Sequence, residues 1–247
     1  MTETHPVLNP SLKGRSASLD LIKWLAMLTM VIDHLRLVWP ELSMPFIPGR
    51  LSFPLFCVAI AANVARSRRG EWLTYKNGRY LVLMMLFAAI SQVPYRMIST
   101  SGSYNVLLTL ALGLVVAWGC HHRTFSSGAM ALFAGAIASA LDDPLMFGFY
   151  GVLVPASVLL VINKPAVLWL LPASLCVLIN TRSSIVSRAL DFELYSLLVL
   201  GTAFAAPLIG LWLLRQRLSF NVWPVGQWGY WFYPGHLAAL QAVRLLV

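Results

Sequence analysis

One apolar stretch, Leu19–Trp39, carries five ionisable groups: Asp20, Lys23, Asp33, His34 and Arg36. A charge placed at the centre of a bilayer costs roughly 2.5–3.5 kcal/mol on insertion scales, so such groups must meet protein or water. Asp20 and Arg36 lie near the ends and can reach the interface. Lys23 sits about a turn inside, and Asp33 and His34 are deeper. Lys23 and His34 are eleven residues apart; at about 100° per residue the helix returns to within about 20° of its start. Both therefore share one face, roughly 16 Å apart along the axis. Asp20 falls within about 60° of that face, whereas Asp33 lies about 100° from His34. The stripe has an ammonium near one end and an imidazole towards the other. Two readings stand. The groups either tie helices together, or they form an anion site with a base above it. Histidine titrates near neutrality and suits the second task.

Other candidates are spread along the chain. Arg50 follows Gly49 at the mouth of the second apolar run. The segment Arg66–Arg79 holds Arg66, Arg68, Arg69, Lys76 and Arg79 against one acid, Glu71. His236 lies in the last apolar run behind Pro234-Gly235 and beside Tyr233, and proline there removes a backbone donor. His121 and His122 are expected at the surface, in a loop. Cys57, Cys120 and Cys176 lack metal spacing and read as small packing residues. No His/Cys/carboxylate cluster suggests a metal, and no serine sits in a nucleophile elbow.

The elements that position these groups follow from composition. Of 247 residues, 59% are hydrophobic and 11% charged, against about 45–50% and 25% in soluble domains. The solvent for such a surface is lipid. Apolar runs predict spans at Leu19–Trp39, Leu51–Ala65, Tyr80–Ile98, Tyr104–Cys120, Gly128–Leu141, Phe149–Ile162, Ala166–Ile179, Leu194–Leu214 and Trp228–Val247. The first, third and eighth are the strongest; the second, fifth, sixth and seventh are short. The fold class is an all-α polytopic membrane protein of about nine transmembrane helices. Long continuous runs, not alternation, argue against a barrel. Residues 1–16 read as a polar disordered tail and 17–247 as one domain. The first run is too long, and too rich in charge, for a cleaved signal peptide.

Lys13, Arg15, Arg66, Arg68, Arg69, Lys76, Arg79, Arg123, Lys164, Arg215 and Arg217 fall on one side of this arrangement. Arg36, Arg50, Arg96, Arg182, Arg188 and Arg244 fall on the other. Basic residues favour the cytoplasmic face, so the N-terminus is expected inside and the C-terminus outside. The net charge of +9 is mostly explained by topology, and no motif points to nucleic acid.

LDLIKWLAMLTMVIDH, residues 19–34, resembles the first helix of the integral-membrane O-acyltransferases, whose signature is Arg or Lys, ten residues, then His. Here the cation is Lys23, which lacks the bidentate fork of arginine. A closer resemblance covers nearly the whole chain. PGRLSFPLF at 48–56, YNVLLTLALGL at 104–114, the stretch from Asp142-Asp143 to Tyr150-Gly151 and YWFYPGHL at 230–237 look like the TraX family, which contains the acetylase of F-type conjugative pilin.

The resemblance implies an inner-membrane enzyme that moves acetyl from acetyl-CoA to the N-terminal amine of processed pilin. Its implied partners are pilin and the lipid bilayer, with no metal. His34, with Asp33 beside it in sequence, is then the catalytic candidate. Lys23, Arg66, Arg68 and Arg69 are candidates for the donor's phosphates, and Arg50, His236 and Tyr233 for the acceptor. Two rivals remain. A proton-coupled transporter also uses intramembrane Asp, His and Lys, although no inverted repeat is visible. A non-catalytic subunit of pilus assembly would show small-residue stripes, and Ala131, Gly135 and Ser139 form a weak one.

Overall fold

The structure, a computed structural model, describes residues 16–246. Polar residues start the helices where they meet unpaired backbone N–H groups. Ser16, Thr74 and Asn105 accept from Leu19, Asn77 and Leu107, and Thr124 forms a capping box with Ser127. The elements so begun are α1 (Ala17–Val38), a single turn α2 (Phe46–Gly49), α3 (Ser52–Ala65), α4 (Tyr75–Ile98), α5 (Val106–His122), α6 (Phe125–Ala140) and α7 (Gly148–Val161). A 3₁₀ turn (Ala166–Trp169), α8 (Leu170–Leu178) and a second 3₁₀ turn (Ile179–Arg182) follow. The short α9 (Ile185–Leu190), then α10 (Leu194–Arg215) and α11 (Trp228–Arg244), are the last elements among the described residues. Among the described residues there is no strand, only a lone bridge between Tyr104 and Leu145.

Among the described residues three segments are long and apolar enough to cross a membrane: Phe46–Ala65, Tyr75–Ile98 and Leu194–Arg215. Shorter apolar helices occupy Val106–His122, Phe125–Ala140, Gly148–Val161 and Ala166–Arg182. The second run, expected to be short, becomes a 20-residue unit because α2 adds a turn ahead of α3. Conversely α1, expected to be among the strongest, has 22 residues but is diluted by Asp20, Lys23, Asp33 and Arg36. The tail expected over 1–16 lies outside the described residues except Ser16, as does the final residue of the last expected span.

The core forms around α3, in which Cys57, Val58, Ala61 and Ala62 are fully buried. Small residues let neighbouring helices approach closely. A Cβ at Gly113 would meet Pro155 at 2.8 Å and the Val152 carbonyl at 3.0 Å, so α5 and α7 touch backbone to backbone there. The outer faces are apolar instead. On α4, Val82, Met85, Leu86, Val93 and Met97 are exposed, as are Leu132 and Phe133 on α6. A surface of this kind belongs against hydrocarbon.

The polar groups gather at two ends. At one end Ser18 donates to the Gln216 carbonyl, Arg215 to the Lys164 carbonyl and Trp72 to Ser126. At the other, Arg182 pairs with Asp143 at 2.9 Å, Tyr195 donates to the Ser43 carbonyl and Arg244 to the Ile98 carbonyl.

Candidate functional site

Helical phase determines which way each ionisable group of α1 turns. His34 is 8% exposed and faces α11, where its Nδ1 lies 2.8 Å from Nε2 of His236. The rings are parallel to within 5° and their centroids are 5.0 Å apart. Two ring radii plus the 2.8 Å gap account for nearly all of that separation, so the rings meet edge to edge in one plane. This is an in-plane hydrogen bond, not a face-to-face stack. His236 Nδ1 donates to the Phe232 carbonyl at 2.9 Å, one turn back along α11. Phe232 and Tyr233 wall the pair, with ring centroids 5.3 and 5.5 Å from that of His236. Tyr233 is itself buried.

Asp33 turns away, as its 100° offset requires. Its Oδ1 accepts from Arg36 Nε at 3.0 Å, and its side chain packs on Gly49 of α2. Arg50 belongs to the same outer cluster. Its guanidinium lies 3.9 Å from the Phe46 ring centroid and donates to Asn180 Oδ1 at 3.4 Å. Gly49, Arg50, Phe147, Cys176 and Asn180 line a cavity of about 20 Å³ there, room for about one water. Asp33 and Arg50 are thus brought together with each other but not with His34.

Lys23 sits at the opposite end of α1. Its ammonium is 3.5 Å from Asp20 and donates to the Val225 carbonyl at 3.1 Å. Asp20 in turn accepts from the Val225 N–H, and Trp24 donates to the Trp223 carbonyl. The start of α1 therefore clasps the segment leading into α11. Arg66 follows α3 at this end. Burial lowers its pKa, and the Asp20 carboxylate pulls it back. Arg68 and Arg69 are exposed, and Arg68 makes only a loose 3.9 Å pair with Glu71.

His121 and His122, expected at the surface, are 8% and 4% exposed. The reason is that α5 continues through both and ends in a left-handed cap at Arg123 (φ 54°). His121 Nε2 then donates to the Ser67 carbonyl at 2.9 Å, fixing the start of the basic segment. The sequence signal for this was the apolar run Tyr104–Cys120, which contains no proline and stops directly before the two imidazoles. Among the described residues no group of three or more His, Cys, Asp or Glu is placed to hold a metal ion.

A family described as TraX protein matches residues 18–244. The chain belongs to the TraX family. The TraX match runs from the second residue of α1 to the last of α11, so it takes in both histidines and both charged ends. TraX membership suggests a role in conjugative pilin processing. No curated protein and no solved structure matches the chain.

Proposed function

We propose that this TraX protein is a membrane-embedded acetyltransferase that moves acetyl from acetyl-CoA to the N-terminal amine of conjugative pilin, in the bacterial inner membrane. The observation that carries the reading is the buried His34, hydrogen-bonded on one ring nitrogen and without a hydrogen bond on the other among the described residues. A buried imidazole with one nitrogen held and one available is the arrangement of a general base.

On this reading Arg66, Arg68 and Arg69 attract the phosphates of the donor at the basic end, taken as cytoplasmic. Lys23 holds the 223–225 segment that borders them. Eleven residues of helix separate Lys23 from His34, roughly 16 Å, a span that an extended pantetheine arm can cover. The thioester then arrives near His34, and the acceptor amine enters from the outer half. Arg50 and Tyr233 are assigned to the acceptor chain.

The amine nitrogen attacks the thioester carbonyl carbon as His34 takes one of its protons. The tetrahedral intermediate collapses, the carbon–sulfur bond breaks, and the departing thiolate takes the proton back from His34. The products are the acetylated amine and free coenzyme A. Asp33, turned towards Arg36 and Gly49, takes no part in orienting the base and serves instead to hold α1 against α2.

The test is the intact mass of mature pilin from cells with and without the protein, and acetyl-CoA-dependent labelling of a pilin peptide in membranes containing only this chain. His34→Ala should leave an inserted protein whose transfer rate is reduced roughly 10²-fold or more, the range assigned to a positioned base. His34→Gln should not restore it. Substrate flux without covalent product would replace the enzyme reading with a carrier.

A further inference from the structure

The two histidines are 202 residues apart in sequence yet share one in-plane hydrogen bond. Its proton can be assigned by following the bonds outward. The Phe232 carbonyl has no hydrogen to give, so the 2.9 Å contact with His236 Nδ1 requires that nitrogen to carry one. A neutral His236 then has only a lone pair on Nε2. The 2.8 Å contact with His34 therefore requires the hydrogen to sit on His34 Nδ1. The lone pair of His34 is left on Nε2, the nitrogen without a hydrogen bond among the described residues.

We propose that His236 is a positioning residue that holds His34 in the tautomer with Nε2 as the proton acceptor. The inference rests on the acetyltransferase reading above and adds the origin of its base. When His34 takes a proton from the amine, both of its nitrogens carry hydrogens, and Nδ1–H still points at the His236 lone pair. The new positive charge is therefore stabilised by a neutral acceptor, where many enzymes place a carboxylate. The nearest carboxylate in sequence, Asp33, is turned to Arg36 and cannot serve. A second proton on the pair would set two N–H groups face to face across 2.8 Å, so the pair accepts one proton and returns it.

Packing supports the assignment. The Phe232 carbonyl sits one helical turn before His236, so the backbone of α11 itself fixes His236 Nδ1 as a donor. The Phe232 ring lies almost parallel to His236, at 19° and 5.3 Å, which restricts rotation about the Cβ–Cγ bond. The fixed ring then presents its second nitrogen to α1.

The test compares His236→Leu with His236→Gln in membranes, reading kcat and KM for acetyl-CoA separately. Leucine removes the acceptor; glutamine can place a carbonyl oxygen near the position of Nε2. We expect His236→Leu to lower kcat roughly 10²-fold or more with donor KM unchanged, as loss of an orienting partner does. His236→Gln should recover to within about tenfold of the parent. Two outcomes overturn the inference: an active leucine variant, or a glutamine variant as slow as the leucine one, which would make His236 a proton carrier. Should His236→Leu fail to insert, histidine-specific ¹⁵N labelling of the parent protein reads the tautomer directly. A proton on His34 Nε2 instead of Nδ1 would also overturn it. Failure of the acetyltransferase reading looks different: His34→Ala would itself leave pilin mass normal.

Discussion

Gly49→Ala is the most informative change outside the histidine pair, because its effect can be worked from distances. A Cβ at Gly49 would lie 2.5 Å from Asp33 Cβ and 2.6 Å from its Cγ. Carbon atoms rest at roughly 3.5–4.0 Å, so one partner must yield by about 1 Å. The α2 turn is pinned from behind: Arg50 caps the Phe46 ring and reaches Asn180, while Tyr195 holds the Ser43 carbonyl. Asp33 is joined to Arg36 on its own helix, so the strain passes into the outer half of α1. His34 is the next residue, and its 2.8 Å bond to His236 would stretch out of hydrogen-bonding range with a shift of that size. Overpacking of this kind costs about 1–3 kcal/mol, which a folded membrane protein can survive, whereas a misplacement of about 1 Å can cost roughly 10²-fold in rate. The expected result is a protein present at near-normal level in membranes with pilin acetylation reduced roughly 10²-fold. Gly201→Ala is the control, since a Cβ there meets nothing within 4 Å, and it should be silent. Normal acetylation by Gly49→Ala would show that α2 moves instead of α1 and would sever the argued link between Asp33 packing and His34.

A reporter fused after Arg69 should be cytoplasmic and one fused after Val247 external; a cytoplasmic C-terminus would refute the orientation drawn from the basic residues. Lys23→Ala should raise KM for acetyl-CoA by freeing the Val225 segment, with Lys23→Arg milder; unchanged donor kinetics with reduced protein level would confine the lysine to a structural ion pair. His121→Ala removes the hold on the Ser67 carbonyl, so it too should raise donor KM while leaving turnover at saturating donor within about twofold, as loss of uniform binding does. A fall in kcat alone would contradict that placement.

The sequence disclosed the parts that depend on local periodicity. The stripe of α1 places Lys23 and His34 on a shared face, and the 100° offset of Asp33 already implied that it would look elsewhere. The start of the second membrane segment was not legible because Pro45 precedes the α2 turn and Pro48 sits inside it, so the apolar run read from the sequence began only at Leu51. The partner of His34 was not legible, because no periodicity links residues on the first and last helices. His236 was visible only as an unusual group in an apolar run, with no sign that it faced His34. His121 and His122 were misplaced for a related reason. Two polar residues beside Arg123 look like a loop until the packing of α5 against the Ser67 carbonyl is known.

The joining of first and last helices has a consequence for the timing of biogenesis. Ribosomes add about 5–20 residues per second, so His34 emerges roughly 10–40 s before His236. Throughout that interval the nascent chain holds an unfinished centre, and α11 cannot supply its half until synthesis is almost over. A chain truncated anywhere before Trp228 would lack the acceptor for the His34 hydrogen and, on the proposed mechanism, would be slow however well it inserted. On that mechanism catalytic competence is reserved for completed molecules, and expressing α11 as a separate peptide beside a truncated chain becomes a means of switching the proposed centre on.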